Sequence, residues 1–128
     1  MGLVDLARDM IADAITGGSS YTKFNNANAA LGVGNGTTAF SSAHTDLQGG
    51  SKFRKAMDAT YPTRSANVLT WRSTFATGEA NYAWEERGVF NTPTLASGQM
   101  LSRKVATILT KTSAVSVQLT STDTVVLV

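Results

Sequence analysis

The chain has 128 residues, the size of one domain, and is 42% hydrophobic, 16% charged and 8% aromatic. It contains no cysteine, which excludes disulfides, thiolate metal sites and a cysteine nucleophile. The net charge is only +2, and the bases are dispersed apart from Lys52, Arg54 and Lys55, so we expect no nucleic-acid ligand. No apolar run approaches the roughly 20 residues that cross a bilayer, and no signal-peptide pattern opens the chain. These features predict a protein made in the cytoplasm and not held in a membrane.

The first predicted element is an amphipathic helix over residues 3–15, because apolar residues recur there at three- and four-residue spacing. Gly17-Gly18 supplies a left-handed stop, and residues 17–27 are predicted to form a flexible linker. The residues that form the apolar stripe of the helix are Leu3, Leu6, Met10 and Ile11. A stripe on a helix that can reach away from its domain predicts an interface with a neighbouring protein. Packing of helix 1–16 on its own domain is the alternative.

From residue 28 the pattern changes to the alternation typical of β-strands. The predicted strands lie near residues 29–33, 52–60, 67–76, 82–91, 100–107 and 114–120. Residues 37–50 and 92–98 are predicted loops, and the polar run 121–124 precedes an apolar tail over 125–128. About six strands joined by turns predict a mainly β protein. Its fold class is an antiparallel β-sandwich over residues 28–128 with an N-terminal α-helix.

The aromatic residues fall on two predicted strands, which we expect to pair with each other. Trp71 and Phe75 share one face of the first, and Trp84 and Phe90 share one face of the second. Aromatic residues at alternating positions are typical of a sandwich core, where each ring buries a large apolar area. An exposed face of the same rings would instead suit sugar binding, so a carbohydrate-binding module remains a remote alternative.

Catalytic groups are few. His44 lies two residues from Asp46, but no strained nucleophile turn accompanies them, so we interpret both as part of a polar loop. Glu85 and Glu86 are adjacent on a strand and therefore point to opposite faces. Ion pairs are their expected use, with Arg72, Arg87 or Arg103. A single histidine and no calcium-loop pattern leave no metal site, so we predict no enzyme, no metal and no cofactor.

Five stretches carry a resemblance that covers nearly the whole chain. They read LGVGNGTTAFSSAHTDLQG, FRKAMDATYPT, VLTWRSTFATGEANYAWEERGVFN, MLSRKV and TKTSAVSVQLT. In this order they resemble a family of small structural proteins of tailed phages, whose central pattern is F-x-x-x-E-A-N-x-x-W-x-E-x-G-x-F-N. The polar Ser121-Thr122-Asp123 departs from the alternating Thr/Val strand that closes the family pattern, which puts the last edge of the sheet in question.

The resemblance implies a virion protein that binds protein neighbours. The opening segment is similar to versions found in heads, so the expected role is a capsid decoration, or cement, protein. Such a protein binds the major capsid protein, works as a homo-oligomer with a trimer favoured, and resides on the capsid surface. A tail, baseplate or fibre component is the alternative. Besides the helix stripe, the interface is expected to include Lys52, Arg54 and Lys55, which would meet acidic protein surface.

Overall fold

A computed structural model describes residues 2–126. The protein is mainly β, with two antiparallel sheets and one short N-terminal helix, which confirms the predicted fold class. Two residues of the predicted apolar tail, Leu127 and Val128, lie outside the described residues. The elements in chain order are β1 (Gly2–Leu3), α1 (Leu6–Ile15), β2 (Ala30–Gly34), β3 (Lys52–Ala56), β4 (Thr63–Ser65), β5 (Val68–Phe75), β6 (Ala83–Phe90), β7 (Met100–Thr110) and β8 (Val117–Thr124).

The larger sheet has the order β1-β7-β6-β2-β3, and the smaller has the order β4-β5-β8. The prediction that the two aromatic strands pair is wrong, because β5 pairs with β4 and β8 while β6 pairs with β2 and β7. Their aromatic faces meet across the sandwich instead, with the rings of Phe75 and Trp84 4.9 Å apart at 61°. Alternation shows which face is apolar, but it does not show whether the partner lies beside that face or opposite it.

The last strand begins and ends later than predicted. It was expected over residues 114–120 with Val115 inward, whereas β8 runs over Val117–Thr124 and Val115 is 48% exposed. The polar run at 121–124 belongs to the strand because its inward members, Ser121 and Asp123, are buried with polar partners. The departure from the family pattern therefore does not end the sheet.

The N-terminal segment packs on its own domain. Gly2–Leu3 pairs with β7, so the helix starts at Leu6, three residues after the predicted start. Val4, Ala7 and Met10 are buried in the core, and Gly17 takes the predicted left-handed conformation at φ +70°. Phe24, from the predicted linker, packs edge-on against Trp71 at 6.2 Å. The helix therefore packs on its own domain, which was the alternative to its use as a free interface.

Two further features position the loops. The strand predicted over 52–60 ends at Ala56, and the chain then turns through Thr60, at φ 72°, and a cis Tyr61-Pro62 bond into the short strand β4, which the sequence did not indicate. The loop predicted over residues 37–50 is confirmed and extends over residues 35–51, without helix or strand. Within residues 2–126, no helix is long and apolar enough to cross a membrane.

Candidate functional site

A buried ion pair joins β6 to β7 behind the long loop. Glu86 and Arg103 have fully buried side chains, and Arg103 Nε donates to Glu86 Oε1 at 2.9 Å. Of the three arginines predicted as partners of this carboxylate, Arg103 is confirmed. Arg72 pairs with Asp58 instead, at 3.0 Å. Two opposite charges away from water are tolerated only when their remaining donors and acceptors also find partners.

The remaining acceptor capacity of Glu86 fixes two stretches of the loop. The backbone N–H groups of Gly36, Gln48 and Gly49 donate to its carboxylate at 2.8, 2.8 and 2.7 Å. A Cβ atom at Gly36 would lie only 2.1 Å from Glu86 Oε2, so no larger residue fits without displacing the carboxylate. A catalytic carboxylate needs open space for a substrate. The carboxylate of Glu86 has none, because loop backbone and Arg103 surround it.

The other nitrogens of Arg103 hold the middle of the same loop. One donates to the carbonyl oxygen of Thr38 at 2.9 Å, and another lies 3.3 Å from His44 Nδ1. The backbone N–H of Ser41 also donates to His44 Nδ1, at 3.2 Å. A guanidinium group and a backbone N–H are both donors, so Nδ1 is the acceptor in these two contacts. The hydrogen bonds of His44 thus hold the loop, while the carboxylate of Asp46 bonds Lys52, Arg54 and its neighbouring amide.

Asp46, in the long loop, pairs with two bases of the segment predicted as an interface. Lys52 Nζ bonds its carboxylate at 2.8 Å, and Arg54 reaches it at 3.4 Å. Burial alone would raise the pKa of Asp46, but the bonds from Lys52 and the Leu47 amide, together with the two positive charges, bring that pKa below its usual value. Lys55 pairs with Glu79 at 2.8 Å. All three bases thus have partners within the chain, and their role at an interface stays a prediction.

Arg54 is 7% exposed and organises the loop after β6. Its NH1 group donates to the carbonyl oxygens of Thr92, Thr94 and Ser97 at 3.3, 2.8 and 2.8 Å. Its guanidinium also lies 3.6 Å from the centroid of the Phe90 ring, a favourable cation–π arrangement.

Lys111 is a second buried base that holds a loop. It donates to Asn81 Oδ1 at 2.7 Å and to the carbonyl of Thr77 at 3.3 Å. Sequence alone gave no sign of these roles, since nothing local marks a base as buried.

Asp123 is a second buried carboxylate that the sequence did not single out. It accepts hydrogen bonds from Trp71 Nε1 at 3.0 Å and Ser102 Oγ at 2.9 Å, which links β8 to β5 and to the opposite sheet. Arg87 Nε is buried without a hydrogen-bond partner. Burial lowers the pKa of Arg87, while the negative charge of Asp123 acts in the opposite direction.

A mostly apolar groove of about 360 Å³ lies between α1, the segment after it and the smaller sheet. Side chains that line it include Met10, Ile11, Tyr21, Phe24, Leu69 and Leu101. Two of the predicted helix-stripe residues line the groove. Met10 is buried, and Ile11 is 37% exposed. Leu3 and Leu6, the other two, are half-buried and pack against the core.

The two buried carboxylates, Glu86 and Asp123, are both held by partners within the fold. No cluster of three or more histidine and carboxylate side chains within residues 2–126 could hold a metal ion. The rings of Trp71, Phe75, Trp84 and Phe90 are at most 1% exposed, which confirms that they form the core and leaves none of them able to stack on a sugar. The groove is a mostly apolar surface of the kind that binding partners cover.

Neither a protein-family model nor a curated protein sequence matches this chain.

Proposed function

We propose that the protein is a structural component of a tailed-phage particle, a capsid decoration protein that binds the major capsid protein and stabilises the head shell. The resemblance of five ordered sequence stretches is the origin of this proposal. The observation that carries it further is the apolar groove beside α1, which gives the domain a surface for a protein neighbour. Exposed apolar surface of this kind is typical of sites where a protein partner binds.

The charges support the same reading. Three polar residues of the central family pattern have structural partners: Glu79 binds Lys55, Asn81 binds Lys111, and Glu86 binds Arg103 together with three backbone amides. A pattern of this kind maintains a shape. A cement protein needs a fixed shape that its neighbours can bind, and it needs no catalytic groups.

Copy number separates the head role from its alternative. A decoration protein occupies repeated sites over the shell, whereas a tail, baseplate or fibre component is present in few copies. Quantitative gel analysis of purified particles is expected to give a ratio to the major capsid protein of the same order as one. A ratio as low as that of the tail proteins would replace the head role with the tail role, and absence from particles would end both.

The groove itself can be tested without disturbing the core. Ile11→Lys introduces a charge at a half-exposed position, so we expect an unchanged melting temperature and loss of binding to particles that lack the protein. Leu95→Lys is the matched control, because Leu95 is 47% exposed and does not line the groove. Deletion of the helix is unsuitable, since Ala7 and Met10 belong to the core. Full occupancy by the Ile11 variant would contradict a groove interface.

A further inference from the structure

The outer edges of the two sheets differ in how well they are protected. Each sheet has two outer strands, β1 and β3 in the larger and β4 and β8 in the smaller. An outer strand presents unpaired backbone groups that can pair with another extended chain. Proteins prevent such pairing with short strands, charged residues, proline or bulges.

Three edges carry such protection. β1 has two residues, and β4 has three residues and follows Pro62. β3 carries Lys52, Arg54 and Lys55. The part of β7 that extends beyond β1 includes the exposed Lys104 and lies where the pairing with β6 shifts register. None of these edges presents a long, regular and uncharged strand.

β8 is the exception. Its eight residues pair with β5 in unbroken register, from Val117 opposite Phe75 to Thr124 opposite Val68. The strand contains no lysine, arginine or proline, and its one charged residue, Asp123, is 3% exposed. The side chains that it exposes are Gln118, Thr120, Thr122 and Thr124. Among residues 2–126, no strand lies along its other edge.

Apolar side chains lie exposed at both ends of this strand. Val115, two residues before β8, is 48% exposed. Val125 and Val126, directly after it, are 42% and 62% exposed. When two copies of a strand run antiparallel, the start of one lies beside the end of the other. The distribution of apolar residues therefore matches a second copy of the same strand.

We propose that β8 pairs antiparallel with β8 of a second copy, about a two-fold axis that passes by Thr120. In this register Thr120 lies opposite its own copy, Gln118 lies opposite Thr122, and Val115 lies opposite Val125. Within β8, both residues of each pair then point to the same face of the sheet, so the inner and outer faces of the two copies are continuous. The uncharged middle brings no like charges together, and the valines cover one another.

This pairing joins two three-stranded sheets into one that crosses both copies. A two-fold contact uses the same surface on both partners and closes at two copies. It therefore predicts a dimer of the free protein in place of the trimer expected from the sequence. The inference does not depend on the phage role, because it concerns the purified protein alone.

The first test is the mass of the purified protein in sedimentation experiments over a range of concentrations. The natural chain is expected to give the mass of two copies, and Thr120→Lys the mass of one, because the substitution places two ammonium groups directly opposite each other. Thr110→Lys, at the exposed end of β7, is the control and should remain a dimer. A monomer or trimer for the natural chain, or a dimer for Thr120→Lys with a native circular dichroism spectrum, would overturn the proposal.

The second test reads the register. The chain has no cysteine, so Val115→Cys and Val125→Cys each add a single thiol. Directly opposed residues in antiparallel strands have Cα atoms about 4.5–5.5 Å apart, which a disulfide can span. Within one chain β8 alone separates the two positions by about 23 Å, at about 3.3 Å per residue. A mixture of the two variants, exchanged under reducing conditions and then oxidised, should form the mixed disulfide. Equal or greater cross-linking of either variant alone would show that the register is wrong.

Discussion

Glu86→Gln is expected to lower the free energy of unfolding by about 3–5 kcal/mol, the range for breaking a buried ion pair by removing one partner. The amide keeps the size of the side chain but removes the charge that faces Arg103. Its NH₂ group also points a donor at backbone amides that need acceptors, those of Gly36 and Gly49 on one oxygen and that of Gln48 on the other. Urea unfolding followed by circular dichroism measures the loss.

Glu85→Gln is the matched control for this experiment. Glu85 is the preceding residue of β6 and accepts a hydrogen bond from Thr107 on the exposed side of the sheet. Because water can replace that bond, we expect a change within about 0.5 kcal/mol. If the two substitutions cost the same, the carboxylate of Glu86 does not hold the loop. A variant with Glu86→Gln and Arg103→Met should recover part of the loss, since it no longer leaves an unpaired buried charge.

Trp71→Ala is expected to cost about 3–5 kcal/mol, as is usual when a buried aromatic side chain is truncated. Trp71 is 1% exposed, packs against Phe24 at 6.2 Å between ring centroids and donates to Asp123 at 3.0 Å. The substitution therefore removes packing and leaves Asp123 with one fewer donor in a buried position. Thermal and urea unfolding of the purified variant measure the loss.

Trp71→Phe separates the two contributions. The phenyl ring retains most of the packing but cannot donate to Asp123, so the expected cost falls to about 1–3 kcal/mol, the cost of a buried acceptor that loses its partner. Leu95→Ala, at a 47% exposed position, should change stability by no more than about 0.5 kcal/mol. Equal stabilities for Trp71→Ala and Leu95→Ala would show that Trp71 does not contribute to core packing.

The apolar pattern of the sequence was sufficient to predict the helix, most strands and the aromatic core. Periodicity reports which side chains avoid water, and that is the property that decides burial for Trp84 or Phe90. It does not report which strands are neighbours, because pairing of β5 with β8 depends on contacts between residues 42 or more positions apart in the chain. For this reason the predicted pairing of the two aromatic strands was wrong.

Polar residues in the core caused the other differences. Ser121 and Asp123 were interpreted as the end of a strand, although partners brought in by the fold allow them to be buried. Arg54 was predicted, together with Lys52 and Lys55, to meet an acidic partner surface, and that role stays a prediction. Its burial was not foreseen, because arginine is almost never fully buried unless it is paired. Its three carbonyl partners come from residues 38 to 43 positions later, so no local pattern could have revealed them. The groove beside α1 was only partly foreseen, through Met10 and Ile11.

The way that Arg54, Glu86 and Arg103 hold the loops has a consequence for how this protein can diversify. Most of their loop contacts are to peptide groups, the carbonyls of Thr92, Thr94, Ser97 and Thr38 and the amides of residues 36, 48 and 49. Every amino acid supplies a carbonyl, and all but proline supply an amide, so side chains elsewhere in these loops can be exchanged without loss of these bonds. Gly36 and Gly49 are the exceptions, because a Cβ atom at either position would collide with neighbouring atoms. The sheet thereby retains its loops in one shape while their surface chemistry remains free to vary under selection by different partners.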